Sequence, residues 1–228
     1  MERKAEDLNN SRGSVGGNLL RAVAGLFLLA LGMYVTIRAN IGVSPWDALN
    51  LGLSGTFGVI YGTASITVSL LVLGVDLLLR EPIGLGMLLD AVLIGKFVDL
   101  FNCLDLVPLQ EDPLLGVLLM TGGFVLMGAA QVLYMGAGLG CGPRDSLLVG
   151  LGKRLRPVPI GAVCVLIMAV AALLGWLLGG PIGVGTLYST FATGPVTQGM
   201  YRLFRFDPTA VTHQDLLTSL GLLLGRKR

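Results

Sequence analysis

Six apolar stretches dominate this sequence, at about residues 19–37, 58–79, 83–101, 114–135, 158–178 and 182–204. Each has about 19–23 residues, the length a helix needs to cross roughly 30 Å of hydrocarbon. In a bilayer every backbone N–H and C=O must be satisfied internally, and segments of this length do so as helices. Charged residues make up 13% of the chain, against about 25% in soluble domains. The 34 glycines suit close helix packing and broken helices. The fold class expected is therefore all-α and membrane-embedded. The first eighteen residues are polar and too charged to form the apolar core of a signal peptide.

A short stretch between the first two spans has a twin between the fourth and fifth. Ile41-Gly42-Val43-Ser44-Pro45-Trp46-Asp47-Ala48-Leu49 is answered by Leu139-Gly140-Cys141-Gly142-Pro143-Arg144-Asp145-Ser146-Leu147. Each reads as a glycine turn, a proline at the first helical position, an aspartate at the third, then about two apolar turns. Shifted by 98, residues 39–54 fall on 137–152 with seven identities in sixteen positions. Shifted by 99, Pro82-Ile83-Gly84-Leu85-Gly86 falls on Pro181-Ile182-Gly183-Val184-Gly185, and Gly95 falls on Gly194. Two matches in the same order at nearly one offset mark a duplication. Each copy holds three spans and one short or re-entrant helix, 45–54 and 143–153. Three is odd, so the copies must be inverted, the plan of many secondary transporters.

The chain then divides into a cytoplasmic polar tail (1–18), repeat 1 (19–112), repeat 2 (113–204) and a terminal segment (205–228). In the last, Val211, Leu216, Leu217, Leu220, Leu223 and Leu224 share one helical face, ahead of Arg226-Lys227-Arg228. That pattern reads as an amphipathic interfacial helix with affinity for anionic lipids. With the N-terminus inside, fourteen Lys and Arg fall on the inner side, Arg38 falls outside and Lys96 within span three. The bias places both termini in the cytoplasm.

The Gly-x-Ser-Pro-Trp-Asp-x-Leu stretch, its Gly-Pro-Arg-Asp twin and the two Pro-Ile-Gly-x-Gly blocks resemble those of the YczE/YyaS/YitT-type bacterial membrane proteins. The resemblance covers about residues 19–204. It implies a multi-pass protein of the bacterial plasma (inner) membrane and brings no substrate with it.

Two readings of the short helices stand side by side. In the structural one, Ser44, Asp47 and Asp145 are helix caps. In the functional one, the two N-termini meet near the midplane and present free N–H groups to an anionic or zwitterionic solute. The candidate substrate-binding residues are then Ser44, Pro45, Trp46, Asp47, Gly142, Pro143, Arg144 and Asp145. Asp90 and Lys96 join them, because ionisable residues deep in a span cost a few kcal/mol and usually mark a pathway or a pair. Asp90 is a candidate proton or cation site. Lys96 and Asp99, three apart, can pair on one face. Asp76 and Arg80 form a second expected pair, and Arg38 is expected to meet Asp47.

The favoured function is secondary transport of a small polar or anionic solute, with proton coupling through Asp90. The alternative is a non-transporting membrane module, an assembly partner or sensor. No enzyme is expected, since no Ser/His, Cys/His or HExxH constellation exists and His213 is the one histidine. The scattered Cys103, Cys141 and Cys164 indicate no metal site and no disulfide framework, and no cofactor is expected. The alternating Gly136, Gly138, Gly140 and Gly142 lack the preceding strand of a nucleotide site. Basic residues follow membrane topology rather than a nucleic-acid surface. Glycine-rich faces permit a homodimer.

Overall fold

The computed structural model describes residues 14–155 and 157–207. Among these there are eight helices and no strand: α1 (Ser14–Arg38), α2 (Pro45–Phe57), α3 (Tyr61–Leu78), α4 (Leu85–Leu104), α5 (Pro113–Met135), α6 (Pro143–Arg154), α7 (Ile160–Leu177) and α8 (Val184–Leu203). Local chemistry sets several starts. Pro45, Pro113 and Pro143 each open a helix, where a missing N–H breaks no intrahelical bond. Ser44 Oγ accepts from Asp47 N at 3.3 Å, and an Asp112 carboxylate oxygen accepts from Leu114 N at 2.7 Å. The short helices sit where their prolines put them, and each runs past its expected end, to Phe57 and Arg154. The expected amphipathic helix after residue 207 lies outside the described residues.

Helices α1, α3, α5 and α7 are long and apolar enough to cross a membrane. Helices α4 and α8 have 20 residues each, which is long enough, but they are more polar. Asp90, Lys96 and Asp99 interrupt α4, while Thr, Ser, Gln and Pro195 interrupt α8. Large apolar side chains stand exposed along the bundle, among them Leu71 (67%), Leu118 (61%) and Trp176 (63%). Such a surface suits lipid better than water.

Helices α1 and α5 form the central pair, brought close by small residues. A Cβ on Gly25 would lie 2.6 Å from the Tyr134 backbone nitrogen, and one on Gly32 would lie 2.9 Å from Gly123 O. Glycine is what lets two helices meet backbone to backbone. Helix α4 packs on α1, with Phe27 edge-on to Phe97 and Phe101, and α8 packs on α5, with Phe124 against Tyr188. The short helices cross over. Helix α2 lies against α7, and α6 lies against α3. Two bonds of equal length fix the exchange: Gly185 N donates to Ile41 O and Gly86 N donates to Leu139 O, both at 2.7 Å. Each joins the turn before a short helix to the Pro-Ile-Gly-x-Gly block of the other half.

The halves differ in how their later helices pack. Helix α3 packs along α4, whereas α7 and α8 stand apart. A Cβ on Gly95 would lie 2.7 Å from Gly62 O, and Asp99 Oδ1 accepts from Gly62 N at 2.7 Å. At the offset of 99, Gly62, Gly95 and Asp99 correspond to Gly161, Gly194 and Gln198. A Cβ at Gly161 or Gly194 would meet nothing within 4 Å.

Ion pairs close both ends of the bundle. Arg38 pairs with Asp105, and Val107 N donates to Tyr34 Oη at 3.1 Å. At the opposite, basic end Lys153 Nζ meets Glu81 at 2.6 Å, and Arg154 donates to Leu79 O at 2.8 Å. Three expected pairs do not form. Arg38 takes Asp105 because Asp47 is held in its own network, described below. Asp99 caps α3 instead of pairing with Lys96. Asp76 is wholly buried with neither carboxylate oxygen hydrogen-bonded, while Arg80 is exposed.

Candidate functional site

The first turns of α2 and α6 face one another across a cavity of about 370 Å³. From α2 and its cap come Ser44, Pro45, Trp46 and Asp47, and from α6 and its cap come Gly142, Arg144 and Asp145. Helix α4 adds Asp90 and Ile94. The most direct link between the short helices is the Arg144 guanidinium, 5.0 Å from the centre of the Trp46 ring. A cation over an indole face contributes about 0.5–2 kcal/mol, more as water is excluded. In the repeat Trp46 and Arg144 are equivalent positions, so one motif position supplies both partners of this contact.

The two motif aspartates live in different surroundings. Asp47 is 1% exposed and fully engaged. Its carboxylate accepts from Ser44 Oγ at 2.7 Å and from Tyr61 Oη at 2.8 Å, and Asn50 Nδ2 donates to the same tyrosine oxygen at 3.3 Å. Charge-assisted bonds of this kind are the stronger sort, so Asp47 ties α2 to the start of α3. Asp145 has no serine before it, since Gly142 holds the cap position and provides no side-chain bond. Its side chain is exposed to the interior and lines both the central cavity and a second one of about 270 Å³. That second cavity lies towards the basic end, where the Glu81–Lys153 pair forms part of its wall.

Asp90 packs against the start of α6. A Cβ on Gly142 would lie 3.0 Å from Asp90 Oδ2. The partial positive charge of a helix N-terminus favours a carboxylate placed there, and a residue larger than glycine at 142 would push it away. Among the described residues, neither Asp90 nor Asp145 makes a hydrogen bond or ion pair through its side chain.

Two candidates from the sequence do not face the cavity. Pro143 is fully buried behind its rim. Lys96 is exposed on the outer side of α4. Six residues at about 100° each turn it roughly 120° from Asp90, so Asp90 points into the cavity and Lys96 out of the bundle. Lys96 is therefore not among the groups that line the cavity.

The cavity also has polar walls outside the short-helix motifs. Thr36, Ser65 and Ser69 come from α1 and α3, and Gln131, Ser189, Thr190 and Thr193 from α5 and α8. Ser65 and Ser69 are four apart in an apolar span, which is a readable signal for one helix face. Gln131 also accepts from Tyr201 at 3.0 Å, and Thr121 shares a 2.8 Å bond with Tyr188. Leu29, Met33, Phe124, Met127 and Met168 supply the apolar part of the lining.

A family model matches residues 17–202, which span every helix except the first residues of α1 and the last of α8. The chain belongs to DUF6198, a family of unknown function. It is 37% identical over 177 residues to the uncharacterised membrane protein YczE of Bacillus subtilis, covering 75% of this chain and 79% of that one. It is 31% identical over 173 residues to an uncharacterised protein of Haemophilus influenzae, covering 76% of this chain and 78% of the relative. It is also 31% identical over 173 residues to YyaS of Bacillus subtilis, covering 75% of this chain and 85% of the relative. No solved structure matches. The apolar helices and the description of YczE agree on a membrane protein.

Proposed function

We propose that this DUF6198 protein is a secondary transporter of a small polar solute in the bacterial inner membrane. Its six long helices would span as two inverted three-helix repeats, with the basic end in the cytoplasm. The observation that carries the reading is the central cavity, where both short helices and α4 deliver charged groups into an apolar bundle. Ionisable groups at such depth usually belong to a solute or ion path. Crossed-over short helices between two repeats match the site plan of inverted-repeat transporters. Arg144 lines the cavity, so it leaves the inner-loop tally of fourteen, and thirteen basic residues still face Arg38. The positive-inside rule then sets the orientation.

The unequal glycine pairs support alternating access. Gly62 on Gly95 seals α3 to α4 towards the Arg38–Asp105 end, and Gly161 and Gly194 leave α7 and α8 apart towards the basic end. In this account the structure is the cytoplasm-facing state. The opposite state closes Gly161 on Gly194 and parts Gly62 from Gly95. The test is flux in proteoliposomes carrying an internal pH dye, challenged with a panel of small polar solutes. Wild type should show a solute-specific signal that Asp90→Asn abolishes while remaining monodisperse. Undiminished flux in Asp90→Asn would remove that residue from the mechanism, and no signal with any solute would count against transport.

A further inference from the structure

The charges lining the central cavity do not balance. Asp47, Asp90 and Asp145 face one guanidinium, Arg144. The helix N-termini that suit an anion are already supplied with carboxylates from the protein. Ser44 and Asp47 occupy the start of α2, and Asp90 lies against the start of α6. Asp47 is satisfied by Ser44 and Tyr61, and Arg144 is stacked on Trp46. What is left for an occupant is negative: Asp90 and Asp145, both open to the cavity and both without a bonded partner among the described residues.

An anion entering here would meet two carboxylates that share one guanidinium, Arg144, at low dielectric, where like charges repel strongly. A cation would neutralise them. A bare metal ion fits poorly, because no group of three or more His, Cys, Asp or Glu capable of holding one occurs among the described residues. The cavity, about 370 Å³, is also far larger than an ion, and its Met33, Phe124, Met127 and Met168 walls suit carbon. An aromatic face beside carboxylates is the usual company of an organic cation.

We infer that the cavity takes a small organic cation of the ammonium or guanidinium class, held between Asp90 and Asp145, with Asp145 as the group it meets on passing from the second cavity. Asp145 is placed for this because it belongs to the walls of both cavities. The inference rests on the transport reading for its biology, but not for its binding chemistry. It also departs from the anionic solute expected from helix ends alone.

The experiment is ligand binding to the purified full-length protein in detergent, read by calorimetry and by thermal unfolding. The probes are choline, putrescine, agmatine and guanidinium, set against acetate, lactate and phosphate. At least one cationic probe should bind, and Asp145→Asn should weaken it by about tenfold or more, a 1.4 kcal/mol effect. Asp145→Glu should recover part of the affinity, which separates lost charge from lost fold. Binding of an anion in preference to every cation would overturn the proposal, as would equal affinity in wild type and Asp145→Asn. No response to any cationic probe would overturn it as well. Cation binding without flux in proteoliposomes would sink the transport reading alone.

Discussion

Substituting alanine at Gly62 and at Gly161 should have opposite consequences, although the repeat makes them equivalent. A Cβ on Gly62 would fall inside contact distance of the Asp99 carboxylate and lie 2.5 Å from Gly95 O. The oxygen is backbone, so relief requires α4 to move. Overpacking of this kind costs about 1–3 kcal/mol. Separation also strains the Gly62 N–H bond to Asp99, a charged-group bond that contributes about 1.5–3 kcal/mol. Allowing up to about 1 kcal/mol gained from alanine in a helix, Gly62→Ala should destabilise by roughly 2–4 kcal/mol. For a chain of this size that lowers the apparent Tm by about 5–15 °C. Gly161→Ala meets no atom within 4 Å, and its Tm should hold or rise by roughly 2–3 °C. The same overlap would fall only on the state in which Gly161 closes on Gly194. Without the Asp99 contribution, because Gln198 stands at that position, overpacking alone of about 1–3 kcal/mol there shifts the two-state equilibrium by about tenfold or more over most of that range towards the cytoplasm-facing state. Gly161→Ala should therefore unfold like wild type and transport poorly. Thermal unfolding in detergent and flux in liposomes measure the two halves of the prediction. Equal losses of Tm in both variants, or full flux in Gly161→Ala, would refute the reasoning.

Other substitutions separate structural from functional charges. Lys96→Ala should leave both Tm and flux within error, because Lys96 is exposed and makes no ion pair among the described residues; a large loss of flux would return it to the site. Asp99→Ala removes the acceptor of Gly62 N and should lower stability by about 1.5–3 kcal/mol, seen as a Tm fall that Asp99→Asn reduces. Asp76→Asn should hold or raise the Tm, since a buried carboxylate without a partner costs several kcal/mol when charged; a marked fall would show that Asp76 has a cationic partner.

The sequence made the short helices legible because their signals are local. Proline at the first position, serine at the cap and a glycine turn act within a few residues, and α2 and α6 begin where those signals stand. The offset of 99 pairs Gly62 with Gly161. What it does not carry is that one glycine is in contact and the other is free, since equivalent sequence does not require equivalent state. Partner choice was the weakest reading. Lys96 and Asp99 are neighbours along one helix, but the acceptor Asp99 belongs to Gly62 of another. Arg38 was matched with Asp47 from shared location outside, whereas Ser44 and Tyr61 had already taken that carboxylate. The helix-end reading missed a partner for the same reason: a bare helix end attracts negative charge, and here Asp90 arrives from α4 to meet it. Such contacts between distant segments are set by packing, which spacing along the chain does not encode.

The central claim is that one cavity opens to each side of the membrane in turn. Cys164 lines that cavity, so it can report access directly. With Cys103 and Cys141 replaced by serine, its labelling by a membrane-impermeant maleimide would be followed in right-side-out and inside-out vesicles. The account predicts labelling from both sides, faster from the cytoplasmic side, with Gly161→Ala suppressing the outer reaction by about tenfold or more. Labelling from one side only in wild type, unchanged by Gly161→Ala, would contradict alternating access.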